Sequence, residues 1–452
     1  MTASVTQRLA EWIVGASFDE IPPIAIERVR NLVLDSLGVQ FAGMSASTGR
    51  ILAQWVKAQG AVPVSTVTAA GFKTTPSFAA LVNGAAAHAL EFDDIATFSS
   101  HPASPLTAAT LALGERLQSS GRDFVLAWLV GWEITAQTMK PCLGPAGNEL
   151  INRGWFNQGF QETLGVAAAA AKLLKLDVTH TRMALGHAAS AMAGLMKNRG
   201  TDTKGFTAGN AAMHGIIAGE LTAMGFTANQ DIIDGDIGVA RVLGLEHGDP
   251  EKVLDGLGSW DMATKGATIR LHACCGAAHW SMDALQKILG RRPTRPAEID
   301  SIEIEINDFL TDMVPFHDPR TGLEAKYSLE YDLAVIALDG RAGMYQYTDQ
   351  AVQRPEAREL MRRVKTVPVR GPLRSRVVLR LKSGEQLEET VSRSHGTPAD
   401  PLTREEILAK FHECAGALVP QAQRNEVIAL CSRLDALENV RELAEAIGTI
   451  KA

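Results

Sequence analysis

The runs TLGVAAAAAKLLKL (163–176) and ALGHAASAMAGLM (184–196) put alanine or glycine on nearly every face of a helix. Alanine is a strong helix former, and a helix with only small side chains can be approached closely from all sides. Such segments belong at the centre of a helical bundle, and the rest of the chain must supply the helices around them. Apolar periodicity does so. Helices are expected over much of 6–60, then at 76–90, 105–118, 123–137, 163–174, 179–197 and 207–224. The turn-rich stretch 61–75 has room for a short strand, and Pro22 and Pro23 stand at a helix start, where proline is tolerated.

Near Ala267 the pattern changes. IDSIEIEIND (299–308) alternates with the period of a strand, and 374–394 reads as a hairpin turning at Ser383-Gly384. Between them LEAKYSLEYDLAVIALDG (323–340) is helical and closes on Gly340. Helical periodicity returns after Pro398 and Pro401. A chain of 452 residues exceeds a single ordinary core. The expected fold is mainly α: a large, discontinuous all-helical domain (1–267 and 398–452) with an inserted α+β domain (268–397).

Three polar clusters interrupt this apolar background. The first, NGAAAHALEFDDIATFSSHPASP (83–105), packs His88, Glu91, Asp93, Asp94 and His101 behind a small-residue helix. After Asp94 an irregular loop is expected, and His101 before Pro102 should be extended. A helix end followed by a loop lets polar groups converge on a cavity; the plain alternative is a capped helix with solvated acids. The second, KNRGTDTKGFTAGNAA (197–212), sets Lys197, Arg199 and Lys204 in a glycine-punctuated loop opening onto a helix, where an anion is favoured. An exposed basic loop would look the same. The third, TIRLHACCGAAHWSMDA (268–284), carries Arg270, His272, Cys274, Cys275 and His279. Its H-x-C-C-x3-H spacing fits no standard zinc site, so buried thiols and a core histidine are the simpler account.

The net charge of −7 gives no basic surface for nucleic acid or an anionic membrane. A small anionic substrate would therefore be drawn by local Lys, Arg and His. Five cysteines at irregular spacing read as reduced thiols. No signal-like amino terminus and no apolar run of about 18 residues is present, so a cytoplasmic protein without a membrane span is expected. The sequence holds no G-x-G-x-x-G, P-loop, G-x-S-x-G or H-E-x-x-H fingerprint.

With these stretches in place, the chain resembles the MmgE/PrpD family, whose members include 2-methylcitrate dehydratases, cis-aconitate decarboxylases and iminodisuccinate epimerases. The likeness rests on NGAAAHALEFDD with HPASP, LGVAAAAAKLLKL, KNRGTDTK with AGNAA, CCGAAHWSMDA and DPRTGLEAKYSLEYDLAVIALDG, in order along essentially the whole chain. It implies a helical domain, an α+β lid, a homodimer, and a cofactor-independent enzyme acting on a small di- or tricarboxylate between the domains. It places functional groups at Glu91, Asp93, Asp94, His101 and Lys204. Three positions depart from the family pattern: Phe156 and Thr207 stand where many members carry histidine, and Arg270 where lysine is common. Cys275 falls where some members carry Cys and decarboxylases carry His.

The chemistry so implied begins with a proton next to a carboxylate, which needs a base and cations on the developing charge. His101 is the expected base, with Glu91 or Asp93 orienting it or sharing the proton. Lys204 is the catalytic cation, and Lys204 and Arg270 are expected to clamp carboxylates, Arg270 bidentately. Asp94, Cys275, Phe156 and His272 complete the expected substrate-binding set, and no metal is called for. Phe156 excludes any mechanism that uses an imidazole there. Its less polar wall points away from methylcitrate and cis-aconitate, toward a substrate with fewer carboxylates or an apolar substituent. The leading expectation is a lyase. An epimerase would need a second acid, Lys204 or Cys275; a non-catalytic carboxylate binder and a metal hydrolase using His88, Glu91, Asp93 and His101 follow behind.

Overall fold

The computed structural model describes residues 3–97, 100–144, 147–371 and 373–450. The alanine-rich helix Gln161–Leu173 sits at the centre, with every residue from Gln161 to Ala171 buried. Its neighbours approach because their contact points lack side chains. A Cβ on Gly165 would stand 2.0 Å from Thr135 Oγ1 on the helix Gly121–Met139, and one on Gly215 would stand 2.4 Å from Val166 Cγ1. The helices Pro76–His88 and Asp202–Ala223 cross at Gly84 and Gly209, where a Cβ on Gly209 would lie 2.1 Å from the Leu81 carbonyl oxygen. Two helices that must each bring a functional end to the site are thereby held backbone to backbone.

Apolar side chains form two cores. One joins residues 5–269 with 402–447; the other gathers 273–391 with Val39, Ala42, Ala87, Phe92 and Cys414. The second core lies under a four-stranded sheet in the order 386–391, 375–381, 299–307, 364–369, antiparallel except for the last pair. The hairpin turns where expected, with Gly384 at φ +90°.

Three local expectations change. The helix expected over 179–197 is Val178–Ala189. Beyond it the chain winds through turns with Gly194 at φ +141° and Gly200 at φ +76°, which no helix accommodates. The following helix begins at Asp202, whose carboxylate accepts the Ser47 and Thr48 hydroxyls at 2.5 Å each. Lys204 is therefore in a helical first turn and not in a loop. The helix expected over 323–340 is broken into Gly322–Ala325 and Leu329–Asp339, freeing Lys326 and Tyr327 from helical geometry. Finally, Asp94–Ala96 is no irregular loop but a strand paired antiparallel with Ala267–Ile269; of the expected loop, Phe98 and Ser99 lie outside the described residues.

The crossing gives a stability prediction. Gly209→Ala should destabilise by about 1–3 kcal/mol, because overpacking against backbone has no soft partner. Gly290→Ala, on an exposed helical position with nothing within 4 Å of the new Cβ, should stabilise by about 0.5–1 kcal/mol. Denaturant unfolding of the two variants against wild type measures both.

Candidate active site

The helix Pro76–His88 ends on an acidic turn. Glu91 takes the left-handed conformation, φ +52°, a strained choice for a side chain with a Cβ, at about 1–3 kcal/mol. The turn is held by cations on its carbonyls. Lys326 Nζ donates to Leu90 O at 2.7 Å, Lys410 Nζ to Phe92 O at 2.5 Å, and Arg270 Nε to Asp93 O at 2.8 Å. Lys410 is itself paired with buried Asp35 at 2.6 Å.

Arg270 gathers the cluster. The short ladder pairs Asp94 with Ile269, so the next residue on one strand faces the residue before on the other, and Arg270 meets Asp93. The guanidinium is completely buried. Nη2 donates to Asp93 Oδ1 at 2.5 Å, while Nη1 donates to Glu91 Oε2 at 2.9 Å and to Cys274 O at 3.1 Å. The clamp expected on a substrate carboxylate is therefore already closed on the protein's own acids; Arg270 corrects from ligand to organiser. The other oxygen of each acid is also taken. Glu91 Oε1 accepts from Tyr327 OH at 2.8 Å and is ion-paired with Lys204 Nζ. Asp93 Oδ2 accepts from Ser104 Oγ at 2.8 Å and contacts His88 Nδ1 at 2.7 Å.

His101 stands beside this network, half-buried. Its Nδ1 lies 2.5 Å from the Asp94 carbonyl and 3.1 Å from Arg270 Nη2. A carbonyl only accepts, so Nδ1 carries the proton and Nε2 keeps a lone pair. Neither Glu91 nor Asp93 touches the ring; they orient it only through Arg270 and the turn. Behind the loop, Glu162 Oε1 accepts from the His101 backbone N–H at 2.8 Å and from Ser100 Oγ at 2.6 Å.

The electrostatics follow from burial and from Arg270. Burial, then the Arg270 cation, pushes His101 down to about 3, against the opposing pull of Asp93. His88 falls to about 4, by burial and then the Lys204 charge. Burial disfavours ionised Asp93, but the Arg270 cation and the His88 hydrogen bond outweigh it and hold Asp93 below the usual range. Asp94 and Glu162 lack such compensation. Burial followed by the Asp93 and Glu162 charges raises Asp94 well above normal, and burial raises Glu162 to about 8. Burial lowers Lys326 to about 7, and burial with Arg270 lowers Lys204. At neutral pH a neutral His101 thus stands beside an Asp93 held as a carboxylate.

The remaining expected residues separate. Cys275 stands at the N-terminus of the helix Gly276–Arg291 and is buried, its Sγ 3.9 Å from the Met313 carbonyl oxygen. Phe156 is buried, and a Cβ on Gly194 would meet Phe156 Cβ at 3.3 Å and Thr207 Cγ2 at 2.9 Å. The two positions where the family resemblance puts imidazoles thus flank one glycine. Thr207, one turn beyond Lys204, also lines a cavity of about 410 Å³ with Trp155, Met192, Leu195 and Phe206. His272 faces Asp283 at 3.4 Å and the edge of His279, and makes no hydrogen bond to the acidic cluster among the described residues. Among the described residues, no three or more His, Cys, Asp or Glu side chains are arranged to hold a metal ion.

Sequence reading missed Tyr327, Lys326, Lys410, Ser104 and Glu162. Only Glu162 left a local signal, a carboxylate opening an otherwise small and apolar helix.

Residues 7–250 match the MmgE/PrpD N-terminal domain and 272–434 the MmgE/PrpD C-terminal domain. The chain belongs to the MmgE/PrpD family. Its relatives include cis-aconitate decarboxylase of Mus musculus, 30% identical over 99% of this chain and 94% of the relative. The Homo sapiens and Aspergillus terreus enzymes of that name are 28% and 27% identical, over 97% and 99% of this chain and 93% and 96% of theirs. This MmgE/PrpD protein therefore matches decarboxylases from end to end, with phenylalanine, threonine and cysteine at positions 156, 207 and 275.

Arg270→Leu should cost about 3–5 kcal/mol, because removing one partner of a buried ionic network strands the others. Arg270→Lys keeps the charge but not the fork and should recover only part of it. Chemical unfolding of both variants checks the ordering.

Proposed function

We propose that this protein removes a proton next to a carboxylate of a small di- or tricarboxylic acid, with His101 Nε2 as the base. It is a lyase of the dehydratase or decarboxylase type. The observation that carries the assignment is that His101 is a half-buried imidazole whose Nε2 keeps a free lone pair; His88 Nε2 is also unpartnered, but its ring is sealed in the interior. Glu91 and Asp93 have both oxygens engaged, and burial raises Asp94 well above the usual carboxylate range.

In this reading the Asp94 carbonyl fixes the His101 tautomer, and Arg270 Nη2 keeps the resting imidazole neutral. An incoming carboxylate offsets the Arg270 field and raises the ring's basicity only when substrate is present. Abstraction leaves negative charge on the substrate, and Lys204, with Tyr327 beside it on Glu91, supplies the cation facing it. Departure of a neighbouring hydroxyl completes a dehydration; return of the abstracted proton to another carbon of the substrate, followed by loss of CO2 and protonation of the carbon it leaves, completes a decarboxylation. No cofactor is required for either. In this reading Asp94 and Cys275 belong to the substrate-binding wall, and His272 supports the lid through Asp283. Phe156 and Thr207 make one wall apolar, which favours a substrate carrying an apolar substituent or fewer carboxylates than cis-aconitate.

Residues 268–397 act as a lid over the base formed by 1–267 and 398–452, a division supported by the two separate cores. The same reading takes the enzyme to be a cytoplasmic homodimer. No helix among the described residues is long and apolar enough to cross a membrane, and exposed Met224, Phe226 and Ile237 offer apolar surface to a second copy. The epimerase reading keeps one support: Lys204 and Cys275 lie together on the Glu91 side, where a second acid would have to stand.

Proton NMR in D2O with a panel of di- and tricarboxylates tests the reading. A new vinylic signal with loss of substrate is the expected result. Deuterium at the α-carbon without net loss would instead establish an epimerase. His101→Ala should stay folded and lose on the order of 10²-fold or more in kcat; near-normal turnover would contradict the assignment.

A further inference from the structure

Glu162 is the one buried carboxyl next to His101 that the chemistry above does not use. It is completely buried at the start of the central helix. Oε1 takes both the His101 backbone N–H and the Ser100 hydroxyl. Oε2 has no hydrogen-bond partner among the described residues. The charged and titratable groups facing Glu162 are Asp93, Asp94 and His101, with Arg270 acting on the far side of Asp94. The helices packed against its own, 103–117, 121–139, 178–189 and 202–223, form no ion pair with it among the described residues.

We propose that Glu162 is a positioning residue that holds the Ser100–His101 backbone as a neutral acid, so that His101 is fixed without adding negative charge where an anionic substrate must bind. An amide could make the same two contacts; a carboxylate makes them too, but places an unpaired charge beside Asp93 and in the path of the substrate. Burial raises Glu162 to about 8, so the acid form dominates at neutral pH and is lost above it. The alkaline side of the activity profile then appears in KM, as repulsion of the substrate, before it appears in kcat. The inference rests on His101 being the base, and its test includes a readout that needs no substrate.

The test compares wild type with Glu162→Gln and Glu162→Ala, each labelled at the histidine Cε1 carbons, with the His101 signal assigned from His101→Ala. In wild type, the His101 signal should shift with a midpoint near about pH 8 and KM should rise about tenfold toward pH ~9.5. Gln should abolish both changes. Ala should displace the His101 signal at neutral pH and lower kcat on the order of 10²-fold, the scale of a misplaced catalytic group, with Gln restoring most of that loss. An alkaline rise in KM that persists in Glu162→Gln would assign it to Lys204 and overturn the proposal. So would an unmoved His101 signal in Glu162→Ala. If the signals behave as expected while no carboxylate is turned over, the positioning role stands and the lyase reading falls.

Discussion

A single guanidinium, buried without any access to water, ties the two halves of this molecule together at the point where its chemistry lies. Arg270 reaches Glu91, Asp93, the Cys274 carbonyl and the edge of His101 from the end of a three-residue strand. Burying such a charge is favourable only when nearly every donor finds an acceptor and the opposing charge is close. The acidic turn meets that condition, and the turn in turn depends on the arginine: without it Asp93 would lose its buried cation and Glu91 would keep only Lys204. The left-handed Glu91 belongs to the same bargain, since it aims its side chain back at Arg270, Lys204 and Tyr327. Buried lysines on the flanking carbonyls then lock the strained backbone from outside.

The same guanidinium explains why the candidate base is neutral. Burial makes protonation of His101 unfavourable, and a permanent cation 3.1 Å from Nδ1 adds to it. An isolated imidazole of this kind is a weak base. Its low basicity suits a site that opens to polyanions, because the substrate's own charge removes the penalty. In the proposed reading, selectivity and activation come from one electrostatic balance, with Phe156 and Thr207 around Gly194 adding no charge to it.

The fold was largely legible in the chain. Alanine runs marked the central helix, the period-two alternation at 299–308 marked a sheet strand, and Ser383-Gly384 marked the hairpin. The acidic turn, Lys204 and Arg270 were identified as belonging to one site, and the structure brings them into contact. What was not legible depends on partners distant in sequence. The strand at 94–96 exists because 267–269 pairs with it, and no local period announces three residues. Lys326 and Tyr327 looked helical; the break that frees them lets Lys326 reach two backbone carbonyls. Arg270 was read as a substrate clamp because a fork of donors near two acids has the same sequence signature whether its acceptor arrives or is built in. His272 had no signal separating a buried pair with Asp283 from a pocket ligand.

The central claim is that His101 rests neutral, its Nδ1 proton on the Asp94 carbonyl and its Nε2 free, under the field of Arg270. Titration of the ¹³Cε1 signal of His101 in the free enzyme, from about pH 5 to about pH 7.5, measures this directly. With the ring lowered to about 3, the signal should show no protonation step through about pH 6.5, where an unperturbed histidine titrates. A full protonation step with its midpoint between about pH 6 and about pH 7 would show that Arg270 does not govern this imidazole and would contradict the account.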